Sequence, residues 1–193
     1  DLTTLHPHVT ESNVHRMDDP ALSRYPIAYL SEPGYWLPDE REAAGLRNWI
    51  AKGGFLIVDD FPFRTQGRID TWGNFEEQMS RVFPQAKWFE LTDASHPIFH
   101  SFFEVNTIDN IPNYYDQGRP IFRGIFEDND PKKRLMVIIN YNTDISEYWE
   151  WSDTGMRPID ESNEAYKLGV NYVIYGMTHC PAAGPKGPAL RRG

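Results

Sequence analysis

Phe55-Leu56-Ile57-Val58 is apolar at four successive positions and runs straight into Asp59-Asp60. An alternating run would face water at every second residue. A continuous one belongs to a strand covered on both faces, as in a parallel sheet between helices. The preceding residues agree. From Pro38 to Lys52, Ala43, Leu46, Trp49 and Ile50 recur at helical spacing. Acids fill the first turn, and Pro38 suits the first helical position. Gly53-Gly54 stops that helix. Further upstream, Ile27–Ser31 reads as a strand running into the turn residues Glu32-Pro33-Gly34. Strand, helix, Gly-Gly and strand make a βαβ unit with a right-handed connection.

The rest of the chain extends this α/β pattern. A second helix is expected from about Asn74 to Val82, with Phe75, Met79 and Val82 along one face. Residues 87–91 read as a short strand and His96–Phe103 as a helical turn. Residues 104–130 are rich in turn formers and aromatics. They read as a long surface excursion with a hairpin near Pro120 to Ile125. Leu135–Ile139 is a second buried strand, ending in Asn140-Tyr141-Asn142-Thr143-Asp144. The last helix spans about Asn163 to Met177, with Ala165, Leu168, Tyr172, Val173 and Met177 inward. At 193 residues the chain suits one domain. That domain covers 21–180, after an N-terminal segment (1–20) of uncertain structure. A Pro/Gly-rich, basic tail (181–193) reads as flexible. The expected class is α/β: a mainly parallel sheet flanked by helices.

Composition narrows the function by exclusion. With 19 Lys and Arg against 28 Asp and Glu, the formal net charge is -9. That disfavours a nucleic-acid surface and adhesion to an anionic membrane. No apolar run approaches the ~20 residues of a spanning helix. Cys180 is the only cysteine, so neither an intrachain disulfide nor a Cys-based zinc site is expected. It reads as an incidental thiol, the alternatives being an intermolecular disulfide or a nucleophile. No Gly-x-Ser-x-Gly or Gly-x-Cys-x-Gly elbow is present, and Gly53-Gly54 precedes its strand, the reverse of a phosphate-cradling loop.

In open α/β sheets, ligands gather outside the carboxyl ends of the strands. Ser31, Glu32, Asp59, Asp60, Asn140, Asn142 and Asp144 fall there. Such a rim of acids and amides suits a divalent cation, sugar hydroxyls or a cationic group. The plain alternative is that Asp59 or Asp60 caps the next segment. His96 and His100, four apart, are weak metal-ligand candidates against a capping His96 and a packed His100. His6-Pro7-His8 is weaker still. Glu147-Tyr148-Trp149-Glu150-Trp151-Ser152 alternates acids with aromatics. It reads as a stacking patch for a flat or sugar-like ligand, as part of an interface, or as simple packing.

Five ordered blocks resemble the domain of unknown function 4159 family. They are Gly53–Asp60, Phe75–Pro84, His96–Phe103, Asn142–Asp144 with Trp149–Trp151, and Leu168–Tyr175, together covering about residues 20–180. The resemblance implies a flavodoxin-like fold of the class I glutamine amidotransferase-like type. It also implies a bacterial protein, exported or tethered on the periplasmic side. It implies no reaction, and that superfamily's Cys-His-Glu triad is not recognisable here. Members usually carry another strand before the first block. The start at Asp1 therefore reads as a processed or truncated chain lacking its export signal and a first strand.

The leading expectation is an exported, non-catalytic ligand- or partner-binding domain using Asp59, Asp60, Asn142, Asp144, Trp149 and Glu150. The alternatives are a structural subunit of a larger assembly and a hydrolase. The hydrolase would act on a carbohydrate or amide, with Asp59 or Asp60 as base or metal ligand, aided by His96 and Glu150. A protein partner or self-assembly fits, membrane contact would need a partner or an anchor, and the residues assign no cofactor either way.

Overall fold

The computed structural model describes residues 13–61, 70–113 and 119–179. The readings of His6, His8, Cys180 and the 181–193 tail lie outside them. Five strands form one sheet: β1 (Ile27–Leu30), β2 (Phe55–Val58), β3 (Phe89–Leu91), β4 (Ile121–Phe126) and β5 (Leu135–Tyr141). Their order is β1-β2-β5-β4-β3. β1, β2 and β5 pair in parallel, whereas β4 pairs antiparallel with both β5 and β3. Four strands therefore point one way and β4 the other.

Continuous burial of β2 has the expected cause. Phe55 and Ile57 enter one core while Leu56 and Val58 enter the other. Helices α1 (Glu40–Ala51) and α2 (Thr71–Val82) cover the second face. Helices α3 (Ile145–Glu150) and α4 (Ile159–Thr178), with the 98–111 segment, cover the first. The result is an α/β/α sandwich. In β5 the register slips opposite Ile125 and Phe126, which pair with Val137 and Leu135 and leave Met136 as the extra residue.

Several boundaries differ from expectation, each for a local reason. α1 starts at Glu40, because Asp39 caps it by accepting from the Arg41 and Glu42 amides while Glu42 reaches back to the Asp39 amide. Pro38 lies outside the helix. α2 starts at Thr71, capped by Asp70. α4 starts at Ile159. Its inward face runs through Tyr172, Tyr175 and Gly176, and Met177 is 44% exposed. Gly53 takes φ 113°, and a Cβ on Gly54 would sit 2.4 Å from the Trp49 ring, so both halves of the Gly-Gly stop have a steric cause.

The largest correction concerns residues 104–130. This stretch is not a surface excursion: Val105, Ile108 and Ile111 are buried, and 121–126 is an interior strand. The hairpin is β4 with β5, turning through Glu127–Asn129, rather than one near Pro120 to Ile125. Asn171 on α4 pins the segment before it. Its side-chain oxygen accepts from the Phe102 and Phe103 amides at 3.0 and 2.8 Å, and its amide donates to the Phe99 and Phe103 carbonyls, both at 2.9 Å. No described helix is long and apolar enough to cross a membrane.

Candidate functional site

Because β1, β2 and β5 are parallel, their carboxyl ends deliver residues to one rim. Each strand leaves the sheet through a non-glycine residue in the left-handed region within two positions: Glu32 (φ 50°), Asp60 (φ 61°) and Asn142 (φ 56°). Asp and Asn tolerate this region better than most residues; Glu does so less readily. Such a conformation costs about 1–3 kcal/mol where it persists, and it clusters at functional sites.

The two adjacent acids part company, because successive side chains at a strand end point in opposite directions. Asp59 is fully buried. Its Oδ1 accepts from Asn140 Nδ2 at 3.0 Å, and its Oδ2 accepts from the Tyr29 hydroxyl and from the Ser146 amide at 3.0 Å. Tyr172 extends the chain by donating to Asn140 Oδ1 at 2.9 Å. One carboxyl thus ties β1, β2, β5, α3 and, through Asn140, α4. Burial pushes Asp59 up to about 7, opposed by its hydrogen bonds and assisted by nearby Asp144. Burial also raises the Tyr29 hydroxyl, with Asp59 adding to it, so Tyr29 stays a donor at neutral pH. Tyr29 as a residue is 40% exposed, although its hydroxyl reaches an interior acid.

Asp60 stays at the surface and accepts from Ser31 Oγ at 2.8 Å. Asp144 caps α3, accepting from the Glu147 amide at 3.0 Å and from Ser146 Oγ at 2.7 Å. Burial raises Asp144 first, and Asp60 raises it further through its charge and a carboxyl–carboxyl hydrogen bond. Asp60 and Asp144, far apart in sequence, therefore face each other across the β2 and β5 ends.

Other expected residues fall into place differently. Asn142 donates to the Arg119 carbonyl at 2.9 Å and shapes the loop. Trp149 is wedged between Tyr29 (ring centroids 6.2 Å) and Gly169 of α4, where a Cβ would lie 2.6 Å from its ring; its buried indole N–H has no partner among the described residues. Glu150 is exposed at the end of α3. Glu147 pairs with Arg157, and buried Tyr148 donates to the Pro112 carbonyl. The acidic–aromatic run is thus largely packing.

His96 and His100 are not brought to the rim. His96 caps the Pro97–Phe99 turn and packs on Phe126 and Tyr175, and Tyr175 accepts from the Leu135 amide, at the amino end of β5. Burial pushes its imidazole down to about 4, so it is neutral near pH 7. His96 thus lies by the amino end of β5, whereas Asp59 and Asp60 follow the carboxyl end of β2. His100 is engaged by Glu104 at 2.7 Å and the Ala94 carbonyl at 2.5 Å. Among the described residues, no three His, Cys, Asp or Glu groups are arranged to hold a metal. A cavity of about 860 Å³ lies along α4 between Phe103, Asp109, Asp160 and Lys167, and no rim residue lines it.

The family description "Domain of unknown function (DUF4159)" matches residues 1–177. The chain belongs to this family. A comparison with curated proteins finds no match. On the DUF4159 fold, the Gly53–Asp60 block is β2 with its rim acids, and Phe75–Pro84 is most of α2 with its exit. The His96–Phe103 and Leu168–Tyr175 blocks meet at Asn171. The 142–151 stretch supplies Asp144 and α3.

Sequence reasoning missed three participants. Tyr29 and Tyr172 read as apolar strand and helix residues, and Ser146 carried no signal. A tyrosine near the end of one strand, two register positions before the acid that follows the neighbouring strand, would have been the clue.

Proposed function

We propose that this domain binds a cationic group of a ligand or partner at the strand-end rim, with Asp60 and Asp144 receiving it. One observation carries the reading: two carboxyls from different strand ends are held together, and the pairing raises Asp144. A nearby cation relieves that repulsion, so a site of this kind favours an ammonium, guanidinium or metal cation over a neutral ligand. Asp59 serves beneath it as a tether rather than a ligand, since it is fully buried and both its oxygens are engaged. The exposed part of Tyr29 adds an aromatic surface beside the rim. The test titrates the protein with agmatine and with Ca²⁺, following thermal unfolding. A saturable rise in Tm that disappears in Asp60→Asn with Asp144→Asn supports the reading; a flat response to both probes removes it.

A second reading, a carboxylate-dependent hydrolase on a carbohydrate or amide, is favoured by the same pair. Two adjacent carboxyls in different environments can act as acid and base. It requires turnover of a glycoside or amide substrate that Asp144→Asn abolishes.

We further infer a flavodoxin-like, glutamine amidotransferase-like relationship, supported by the three parallel strands with helices on both faces. The β1-β2-β5-β4-β3 order with an antiparallel β4 departs from the 2-1-3-4-5 flavodoxin order. An exported, periplasm-facing location rests on the family resemblance alone, and fractionation of the host cell tests it.

A further inference from the structure

We propose that Arg123 on β4 is the centre of a second, oxyanion-binding site, separate from the acidic rim and opposite in charge. Five described arginines are buried or partly buried, and four of them engage a carbonyl or a carboxylate through the guanidinium group. Arg47 donates to the Val82 and Arg81 carbonyls, and Arg81 to the Pro38 carbonyl and to Glu40. Arg134 donates to the Gly54 and Ile50 carbonyls, and Arg157 pairs with Glu147.

Arg123 is the exception. Its guanidinium lies over the Trp72 ring at 4.1 Å and near the Tyr141 ring at 5.1 Å. Among the described residues its buried Nη1 has no hydrogen-bond partner. Glu90 stands directly across from it on β3, where opposite charges ordinarily pair, yet the guanidinium is turned to the aromatics instead. The sequence between Phe61 and Asp70 holds two further arginines and no Asp or Glu, so it supplies no counter-charge.

An enclosed donor left unmade on a charged group is costly. Stacking between two rings offsets part of that cost and fixes the guanidinium plane. A planar, fixed, unneutralised guanidinium is suited to two-point recognition of a carboxylate or phosphate. The surroundings place the site on the fold. Tyr141 ends β5 and Trp72 opens α2, so Arg123 serves the α2 side of the sheet near its carboxyl-terminal end. Phe61, Phe75 and Trp88 complete the apolar wall around Trp72.

The test titrates the full chain separately with sodium phosphate and sodium acetate against NaCl at matched ionic strength. The readouts are the Arg123 guanidinium and Trp72 indole N–H signals by NMR. The expected result is a saturable shift of both signals, with affinity at least about tenfold weaker in Arg123→Lys and lost in Arg123→Gln. Saturation by phosphate marks a phosphate-bearing ligand, and by acetate alone a carboxylate. Asp60→Asn with Asp144→Asn leaves the response in place, which separates this site from the rim. Glu90→Gln leaves it unchanged or tightens it. No saturable shift beyond the NaCl control overturns the proposal. So does equal affinity in Arg123→Lys, a variant that keeps both cation and packing and reads the site even if Arg123→Gln fails to fold.

Discussion

Asp59 should make the domain less stable as pH rises from about 4 to 7. The carboxyl is fully buried, and burial lifts it from 3.8 to about 7. Between those values the folded chain holds a proton on Asp59 that the unfolded chain has released. Stability therefore falls with rising pH across this window. The contribution is fully present below about 3.8 and gone above about 7. At 1.36 kcal/mol per pH unit, the gap corresponds to about 4 kcal/mol. The perturbation is Asp59→Asn, which cannot ionise. A flip of the Asn140 amide lets its oxygen accept from the new amide and its nitrogen face the Tyr172 hydroxyl, which then accepts. The packing can thus survive the change. The assay is urea unfolding of both proteins from pH 4 to 8. Taking the difference removes the titrating groups that do not sense the Asp59 charge; Asp144, which raises Asp59, is not among them. The wild type should lose up to about 4 kcal/mol relative to the variant between pH 4 and 7, and then level off. A difference that is flat, or that grows in favour of the wild type as pH rises, would refute the reading of Asp59 as a desolvated carboxyl.

Three further outcomes follow from the same geometry. Asp60→Asn should lower the Asp144 pKa, because Asp60 raises it; a ¹³C carboxyl titration reads this directly, and an unmoved Asp144 would break the pair. Asn171→Ala removes four hydrogen bonds to backbone groups of residues 99–103 and should cost about 3 kcal/mol or more in urea unfolding. Gly169→Val should cost about 1–3 kcal/mol and shift tryptophan emission, because its Cβ would lie 2.6 Å from the Trp149 ring; a neutral variant would show that the ring is not wedged there.

Local signals carried much of the fold. The α1 apolar face and the β2 run were legible because periodicity and burial are short-range consequences of side-chain order. The 104–130 stretch was not legible. Turn formers and aromatics hid a strand whose partners, β3 and β5, come from either side of it in the chain, and pairing energy overrode local preference. The histidine pair follows its capping and packing alternative rather than the metal-ligand one. Four-residue spacing suggests one helical face, but the segment is a single tight turn with each ring already engaged.

The sequence by itself determined that acids and amides cluster at the ends of buried strands, because apolar runs must stop where the sheet meets water. Only the tertiary structure decided which of those acids is a tether and which a surface ligand. Asp59 and Asp60 are adjacent and chemically alike. Strand alternation and the left-handed turn at Asp60 send one into a three-donor network and the other to face Asp144. That sorting depends on Tyr29 from β1 and on Asn140, Asp144 and Ser146 from the end of β5 and the start of α3 arriving together, which residue order alone does not reveal.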